Sequence, residues 1–589
     1  MLSLPRATTV TKRDGNSQQG RGTGSSVSLP RAVGRYRELM AVRQLLTDVV
    51  IVNGDGLTEP YEGDVLIEGD RVTQLGDVTP GAAGGAERVI DGKGRVLAPG
   101  FVDTHNHGAL GGTRIGDHGI PVTCEMALRG GVTKRICGSD GLSPAPVLPA
   151  QRHEYAAQLT PLDGSIGEAW SWSSVAEFLA WHRGRSATDM GIHLGHSAVR
   201  RMVMGNLARV ADDGELRDMC EVVRREAPLT LGLSTGLVYN PAVYCDRREL
   251  TLLVSAFNDV KPGALFPHLR SESDGIVAAL GEVLVPAFEG GGGYCNEHSK
   301  IAGHRNWDKY TNLVDLIDEA ADFIPTMENM YPYPAGSTTG DAIFPPEVRA
   351  GLREEFLARL SDPAVRRSAY ERIRGDSSTW DNFVDFCGGL DGVQIAGVRA
   401  GVGDAFLGKR LGDVARATGR LDLDSFAAHE AVIDFFVANR GELTIITHYG
   451  NDATVERFFR RPSMAICTDG LMPGPGQKPH PRSIGSFPKA LRMAREMGIP
   501  LREIVHRMST LPCRFLGLAD PVLRPGADAS LVLFDWGTVR ERNSFEEPLI
   551  PPEGIDAVWV HGELVYADGH FHPPSPFGGR ILTSPAVHN

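Results

Sequence analysis

Both ends of the chain carry short stretches in which apolar and polar residues alternate. Near the N-terminus these stretches, separated by Gly and Asp, are residues 49–53, 64–68, 71–75 and 89–91. Near the C-terminus the pattern returns at residues 529–534, 557–560 and 563–566. Alternation bounded by turn residues predicts short β-strands. We therefore expect residues 46–97 and 517–589 to form one small β-sandwich domain built from both termini.

The middle of the chain, residues 98–516, alternates apolar strand candidates with helical patterns. The strand candidates are residues 97–102, 133–137, 229–233, 264–266, 323–326, 443–447 and 464–467. Helical periodicity occurs between some of them, at residues 247–258, 274–285 and 312–321. This alternation predicts an α/β fold, a (β/α)8 TIM-type barrel, whose chemistry lies at the C-terminal strand ends. Residues from about 341 to 440 are more helical and polar, and we interpret them as an insertion that caps the barrel mouth.

The N-terminal segment differs in composition from the rest. Residues 1–36 are rich in Ser, Gly, Arg and Thr, and the pentapeptide Ser-Leu-Pro-Arg-Ala occurs twice, at residues 3–7 and 28–32. Such a segment buries too little apolar surface to offset its ordering entropy, so we expect a disordered arm over residues 1–45. It lacks the apolar region of a conventional secretory signal. Met40 is a candidate true start, a hypothesis that intact-mass analysis of the native protein tests.

Composition and charge limit the classes of binding partner that the protein can have. The chain has 589 residues, 42% of them hydrophobic, which is enough for a sizeable core. Its net charge of −13 argues against a nucleic-acid partner, and no apolar run approaches the roughly 20 residues of a membrane-spanning helix. Eight cysteines without CxxC pairs are typical of a reduced, cytoplasmic protein. We expect a small-molecule partner, and the sequence leaves a homo-oligomer open.

Metal-ligand residue types follow several of the predicted strands. His105 and His107 come directly after an apolar run, and side chains at i and i+2 of an extended strand point to the same side. Alone, this pair is weak support for a metal site. His268, His298 and Asp469 each follow a further apolar strand, where a barrel presents its catalytic groups. Together the four strand ends predict a metal centre rather than unrelated hydrogen-bonded loop residues.

At these positions the sequence resembles the amidohydrolase superfamily, and within it the N-acyl-D-amino-acid deacylase (D-aminoacylase) family. The metal motif is Pro99-Gly-Phe-Val-Asp-Thr-His-Asn-His107. The further motifs, in family order, are Gly195-His-Ser197, Gly232-Leu-Ser-Thr-Gly236, His268-Leu-Arg-Ser-Glu272, His298-Ser-Lys300, Tyr331-Pro-Tyr-Pro-Ala-Gly-Ser337, Thr468-Asp-Gly470 and His480-Pro-Arg482. The resemblance runs from about Asp48 to Leu582, and it implies a (β/α)8 barrel with a small β-sandwich.

One position departs from the family pattern. The family carries a metal-binding Cys in a Gly-Asn-Cys-Gly stretch after the second strand, and Asp140 occupies that position here. Cys137 lies three residues earlier, where strand alternation points its side chain the other way. We interpret Asp140 as a harder, oxygen metal ligand, which predicts a site that accepts metals other than zinc more readily. The alternative is that Asp140 only shapes a Gly-Ser-Asp-Gly turn.

The resemblance implies a reaction and its residues. A metal held by His105, His107, His268 and Asp140 would lower the pKa of a bound water, with Asp469 as general base. His298 belongs to a second, weaker metal position or steers the carbonyl oxygen. The implied cofactor is Zn²⁺, one ion tightly bound and a second held more weakly.

An N-acyl amino acid also needs a cation for its free carboxylate. Arg482 is the strongest candidate, because a guanidinium binds carboxylates through two parallel hydrogen bonds. The resemblance adds Lys300, Tyr331 and Ser337 around the same group. The alternative for Arg482 and Lys300 is a solvated surface charge. His196 and His448 fit a structural role equally well and stay outside the predicted set.

The leading functional hypothesis is metal-dependent hydrolysis of N-acyl-D-amino acids or closely related N-acyl compounds. A second hypothesis is an amidohydrolase that acts on a different linear or cyclic amide of specialised metabolism, because a family fold does not fix the substrate. A third is a non-catalytic barrel scaffold. The retained histidines and Asp469 argue against the scaffold, since buried polar side chains without partners destabilise a fold.

Overall fold

The computed structural model describes residues 42–111, 114–165, 170–375, 379–574 and 576–584. The expected disordered arm lies outside these residues, except for residues 42–45. Strand β1 (Arg43–Ile51) already begins at Arg43, so residues 43–45 belong to a sheet and not to the arm. The Gln44 side chain fixes this start, because its amide donates to Gly562 O at 2.7 Å and accepts from the Trp559 indole at 3.1 Å.

The two ends of the described chain share one eight-stranded sheet. Its other strands are β2 (Tyr61–Glu68), β3 (Arg71–Gly76), β4 (Arg88–Pro99), β17 (Leu531–Phe534), β18 (Ile555–Val560), β19 (Glu563–Ala567) and β20 (His570–Phe571), in the order β20-β19-β18-β17-β4-β1-β2-β3. The antiparallel pair β4–β17 joins the N-terminal half to the C-terminal half. Alternate side chains such as Leu46, Val65 and Trp559 form a separate core under this sheet.

A parallel barrel fills the middle of the chain. Its strands are β5 (Phe101–Asp103), β6 (Val132–Cys137), β7 (Asp189–Ile192) with β8 (Leu194–Gly195), β9 (Leu233–Gly236), β10 (Ala264–His268), β11 (Gly293–Asn296), β12 (Thr326–Met330) and β16 (Met464–Ile466). Neighbours pair in parallel, and β7 and β8 fill one barrel position on either side of His193. The backbone bridge between Asn106 and Gly470 closes the barrel, which confirms the predicted (β/α)8 fold.

The helices around the barrel follow the expected pattern of caps and apolar faces. They are Val122–Arg129, Arg152–Asp163, Val175–His182, His196–Met204, Asp213–Glu226, Arg247–Asn258, Ile276–Glu289, Tyr310–Ala321, Asp452–Phe459, Arg482–Glu496, Leu501–Met508 and Thr510–Phe515, and a short helix at Pro80–Ala83 lies in the β domain. In Arg247–Asn258 the Asp246 side chain caps the Glu249 amide, and Leu250, Val254 and Phe257 are buried on one face. Across the part of the chain described here, no helix is both long and apolar enough to cross a membrane.

The segment between β12 and β16 contains a sheet as well as helices. The helices are Arg353–Arg359, Pro363–Arg374, Phe383–Phe386, Leu411–Ala417 and Phe426–Ala438. Strands β13 (Gly336–Thr339), β14 (Val393–Gly397) and β15 (Thr444–Thr447) form an antiparallel sheet in the order β13-β15-β14. The prediction of 443–447 as a barrel strand was therefore wrong. Both faces of β15 are buried, so its apolar pattern is the same as that of a barrel strand.

Candidate metal centre and active site

Four histidines and two aspartates converge at the C-terminal ends of five barrel strands. They are His105 and His107 after β5, Asp140 after β6, His268 at the end of β10, His298 after β11 and Asp469 after β16. Each side chain is buried, with at most 6% of its surface exposed. Their ligand atoms form three overlapping groups whose members lie within 4.8 Å of one another. The structure thus brings together the six residues predicted for metal binding and proton transfer.

Asp140 lies at the centre of the four histidines. Its Oδ1 is 3.6 Å from His105 Nε2, 3.5 Å from His268 Nδ1 and 3.4 Å from His298 Nε2, and its Oδ2 is 3.4 Å from His107 Nε2. These distances exceed the length of an ordinary hydrogen bond. They are close to the distance of about 3.3 Å that separates two ligand atoms of one tetrahedral zinc ion. Burial alone would raise the pKa of Asp140, but the imidazoles of His268, His107 and His298 outweigh it and hold the pKa well below its usual range.

A tight turn after β6 directs Asp140 into this position. Asp140 has a φ of 55°, and Gly138 and Gly141 beside it have φ values of 78° and 70°. Aspartate tolerates this left-handed conformation better than most residues with a Cβ. Cys137 points elsewhere, with its Sγ 3.9 Å from Asn106 Oδ1. The aspartate, and not the nearby thiol, therefore belongs to the cluster.

Several buried nitrogen atoms of the cluster have no protein hydrogen-bond partner in the described chain. They are Nε2 of His105, Nδ1 of His107 and both ring nitrogens of His268. Burial without a partner is costly for a polar atom. Imidazole nitrogens and carboxylate oxygens are the ligands that zinc accepts, so the residues present fit a metal ion.

Glu297 is a functional candidate that sequence reasoning missed. Its carboxylate is hydrogen-bonded to His105 Nδ1, and Asn329 Nδ2 donates to Glu297 Oε1 at 2.6 Å. Burial would raise the pKa of Glu297, but the adjacent His105 outweighs it and lowers the pKa. A carboxylate on the far nitrogen of a metal-binding histidine fixes the tautomer and orientation of the ring. The only sequence signal was the position of Glu297 directly before His298.

Asp469 is paired with Arg482. Arg482 Nη1 lies 2.8 Å from Asp469 Oδ2, while Asp469 Oδ1 faces His107 Nε2 at 3.4 Å. Burial would raise the pKa of Asp469, but Arg482 and the nearby histidines outweigh it and lower the pKa. Arg482 is 1% exposed, and its guanidinium lies 4.3 Å from the centre of the Tyr331 ring. It is therefore not the solvated surface charge that the sequence left as an alternative.

The other predicted substrate-binding residues lie near this pair. Lys300 Nζ is 2.7 Å from Glu272 Oε1 and 5.8 Å from the centre of the Tyr331 ring. The hydroxyl of Tyr331 is 2.8 Å from that of Tyr449. Ser337, on β13, donates its hydroxyl to Ile445 O at 2.8 Å, and Arg482 Nη2 donates to the Ser337 carbonyl at 3.2 Å.

The insertion between β12 and β16 is tied to the loop that carries Glu272. Asp381 accepts hydrogen bonds from Ser271 Oγ at 2.9 Å, the Glu272 amide at 2.9 Å and Ser273 Oγ at 2.6 Å. Burial raises the pKa of Asp381 to about 6. Glu272 in turn lies 3.0 Å from His298 Nδ1. The insertion therefore holds in place the loop that follows β10, a contact that no pattern in the sequence indicates.

The two histidines left outside the predicted set have protein partners. His196 lies between Thr235 Oγ1 at 2.8 Å and Glu249 Oε1 at 2.7 Å. His448 Nε2 is 3.0 Å from Gln394 Oε1. Both contacts are those of structural histidines.

Curated proteins of known function are similar to this chain over most of its length. N-acyl-D-glutamate deacylase of Alcaligenes xylosoxydans xylosoxydans is 30% identical over 547 residues, which are 91% of this chain and 96% of that protein. D-aminoacylase of the same organism is 28% identical, over 92% of this chain and 98% of that protein. No protein-family model matches the chain.

A solved structure extends the likeness to the fold. The crystal structure of N-acyl-D-glutamate deacylase from Bordetella bronchiseptica, complexed with zinc and a phosphonate inhibitor, superposes with a TM-score of 0.72 at 25% identity. The match covers 92% of this chain and 100% of that one. The predicted family is therefore confirmed: the chain belongs to the N-acyl-D-amino-acid deacylases (D-aminoacylases) of the amidohydrolase superfamily.

Proposed function

We propose that the protein hydrolyses the amide bond of N-acyl-D-amino acids or closely related N-acyl compounds, giving a carboxylate and a free D-amino acid. The observation that carries this proposal is the buried cluster of four histidines and Asp140 directly beside the ion pair of Asp469 and Arg482. Relatives that align over most of their length are named N-acyl-D-glutamate deacylase, N-acyl-D-aspartate deacylase and D-aminoacylase, which supports the substrate class.

The residues that would hold zinc are His105, His107, Asp140, His268 and His298. Bound there, the metal polarises an amide carbonyl and makes a water molecule acidic enough to attack near neutral pH. Asp140 Oδ1 lies towards His105, His268 and His298, and Oδ2 lies towards His107. These residues would hold one zinc ion tightly and a second ion more weakly.

Asp469 is the residue that moves the proton. It accepts a proton from the attacking water while the water oxygen bonds to the carbonyl carbon, and it gives this proton to the amine nitrogen as the C–N bond breaks. Its pairing with Arg482 keeps the carboxylate ionised and therefore ready to accept.

Arg482, Lys300, Tyr331 and Ser337 would bind the free carboxylate of the amino acid. Arg482, which is buried against Asp469, and Lys300, whose side chain is 12% exposed, supply the positive charge that a carboxylate needs. Fixing this end of the substrate sets the distance between its amide and Asp469, which is the main contribution of such groups to rate.

A chiral product assay tests the proposal. The full-length, metal-loaded protein is incubated with N-acetylated D- and L-forms of aspartate, glutamate, methionine and leucine, and the released amino acids are separated on a chiral column. We expect release of free D-amino acids from the D-forms. Release from the L-forms alone, or no release from any member while the metal stays bound, would refute the proposed function.

A further inference from the structure

The carboxylate of Glu272 faces two of the candidate metal ligands. Glu272 is buried, with 6% of its surface exposed. Its Oε1 lies 3.0 Å from His298 Nδ1, and its Oε2 lies 3.6 Å from His268 Nε2. Lys300 Nζ completes a triangle, 2.7 Å from Glu272 Oε1 and 2.5 Å from His298 Nδ1. The carboxylate is therefore fixed at both oxygens, between the two imidazole rings and a lysine.

The two histidines turn their other ring nitrogens towards Asp140. His268 Nδ1 is 3.5 Å and His298 Nε2 is 3.4 Å from Asp140 Oδ1. These three residues form one of the groups that could hold a metal ion. Glu272 thus lies on the far nitrogen of both rings, where a carboxylate fixes the orientation and tautomer of a metal-binding imidazole.

The backbone of Glu272 is held from two sides. Asp381 of the insertion accepts hydrogen bonds from the Glu272 amide at 2.9 Å and from the hydroxyls of Ser271 and Ser273 at 2.9 and 2.6 Å. The Glu272 carbonyl accepts from the Ala302 amide at 2.7 Å, in the loop after β11. Since loops are otherwise the mobile parts of a fold, these bonds set where the Glu272 side chain begins.

Asp381 is in turn fixed by the apolar core of the insertion. It is 4% exposed, and Trp380 and Phe383 on either side of it belong to that core. The neighbouring Asn382 donates to Ile373 O at 2.6 Å, which ties this stretch to a helix of the insertion. A continuous chain of contacts therefore runs from the core of the insertion to the two imidazole rings.

We propose that Glu272 is a positioning residue for the two metal-binding histidines beside it, and that Asp381 of the insertion acts through Glu272. This inference rests on the proposed function, because it takes His268 and His298 as metal ligands. The insertion then does more than cover the barrel mouth, since its core sets the affinity of the ion that these histidines hold.

Zinc affinity, measured by competition with a chromophoric chelator, tests this role. Glu272→Gln removes the charge at nearly constant size, and we expect zinc affinity to fall about 10–100-fold. Asp381→Ala keeps the Glu272 carboxylate but releases its backbone, and we expect a fall of about tenfold, the lower end of that range. Wild-type affinity in either variant would overturn the inference.

A double variant tests whether Asp381 acts through Glu272. Residues that act through one contact are not additive, so the variant with both substitutions should lose no more zinc affinity than Glu272→Gln alone. Losses that multiply would show two independent effects and overturn this part. Asp381→Asn, which keeps one acceptor oxygen, takes the place of Asp381→Ala in the cycle if the alanine variant does not fold.

Asn382→Ala separates positioning from a general loosening of the insertion. Asn382 is as buried as Asp381 and bonds Ile373 O, within the insertion. We expect a lower melting temperature but wild-type zinc affinity. An equal loss of zinc affinity in Asn382→Ala and Asp381→Ala would overturn the specific role of Asp381.

Cobalt(II) gives a readout of ligand geometry that stability alone does not change. At saturating cobalt, we expect the visible absorption bands of Glu272→Gln and Asp381→Ala to differ from those of the wild type, and those of Asn382→Ala to match them. Identical bands in all four proteins would overturn the inference. The expected losses of zinc affinity together with no amidase activity in the metal-loaded wild type would contradict the proposed function alone.

Discussion

Arg482 and Asp469 form a buried ion pair, with 2.8 Å between Arg482 Nη1 and Asp469 Oδ2. The proposed carboxylate-binding cation therefore touches the proposed base. One guanidinium has enough donors to bond Asp469, the Ser337 carbonyl and a substrate carboxylate at the same time. We therefore expect substrate binding and the ionisation of the base to be coupled through the Arg482 side chain.

Replacing Arg482 with lysine tests this double role. Arg482→Lys keeps the positive charge but loses the two parallel donors of the guanidinium. We therefore expect kcat/KM to fall about 100-fold, with both a higher KM and a lower kcat. Each factor of ten corresponds to about 1.4 kcal/mol. Arg507→Lys is the matched control, because Arg507 is equally buried but bonds the carbonyls of Met464 and Phe459 away from the site. Steady-state kinetics in which the two variants behave alike would contradict the coupling.

Glu297 is expected to act through His105. In Glu297→Gln the carboxylate that accepts from the His105 ring is lost, and we expect metal affinity to fall about 10–100-fold, the usual effect of removing such a partner. Competition with a chromophoric chelator measures this affinity. Glu328→Gln changes a buried glutamate that pairs with Arg461 outside the cluster, so its affinity should equal that of the wild type. Equal affinities in all three proteins would remove Glu297 from the site.

Asp140 is expected to set the choice of metal. A carboxylate is a harder ligand than a thiolate, so Asp140→Cys should favour zinc over manganese more strongly than the wild type does. The measurement is elemental analysis after dialysis against equal concentrations of both ions. We also expect Asp140→Ala to lose bound metal, because Asp140 faces all four histidines. An unchanged zinc-to-manganese ratio in Asp140→Cys would show that Asp140 is not a ligand.

His561 links the β domain to the barrel and makes stability depend on pH. Its Nε2 lies 2.7 Å from Asp189 Oδ1 and its Nδ1 2.8 Å from Asp528 Oδ2, with Arg580 Nη1 3.1 Å from the same Asp528 oxygen. Burial would lower the pKa of His561, but the hydrogen bonds to Asp189 and Asp528 outweigh it and raise the pKa. Folding therefore favours the protonated ring. Its stabilisation is complete below the unfolded pKa of about 6.5 and is lost as pH rises through the folded pKa.

The variant His561→Gln tests that link. At pH 6 we expect it to be less stable than the wild type by about 1.5–3 kcal/mol, the range for hydrogen bonds to charged groups. The difference should shrink at pH 9, where the wild-type ring is closer to neutral. Thermal unfolding of both proteins at the two pH values measures this. A difference that is the same at pH 6 and pH 9 would contradict a charged His561.

The cluster could be predicted from the sequence because a residue type that binds metal or transfers protons follows each of these predicted strands. His105, His268, His298 and Asp469 all follow apolar runs, and a barrel gathers such positions at one mouth. Asp140 could be placed because the family motif marked its position, although its residue type differed. The structure puts all of these side chains within one buried cluster.

Residues that act through other residues could not be predicted in this way. Glu297 and His105 are 192 positions apart, and Asp381 and Ser271 are 110 apart, so no local pattern links them. The error at β15 has a similar cause. A short apolar run indicates that a strand is buried, but it does not indicate which sheet contains that strand. Here residues 444–447 belong to the antiparallel sheet of the insertion.

In the proposed reaction the four histidines and Asp140 hold the metal while Asp469 moves the proton. Metal content and turnover of an N-acyl-D-amino acid, measured on the same preparation of Asp469→Asn, test it most directly. We predict wild-type metal content together with a loss of turnover of about 10²–10⁴-fold, the contribution expected of a general base. Near-normal turnover in this variant would contradict the account.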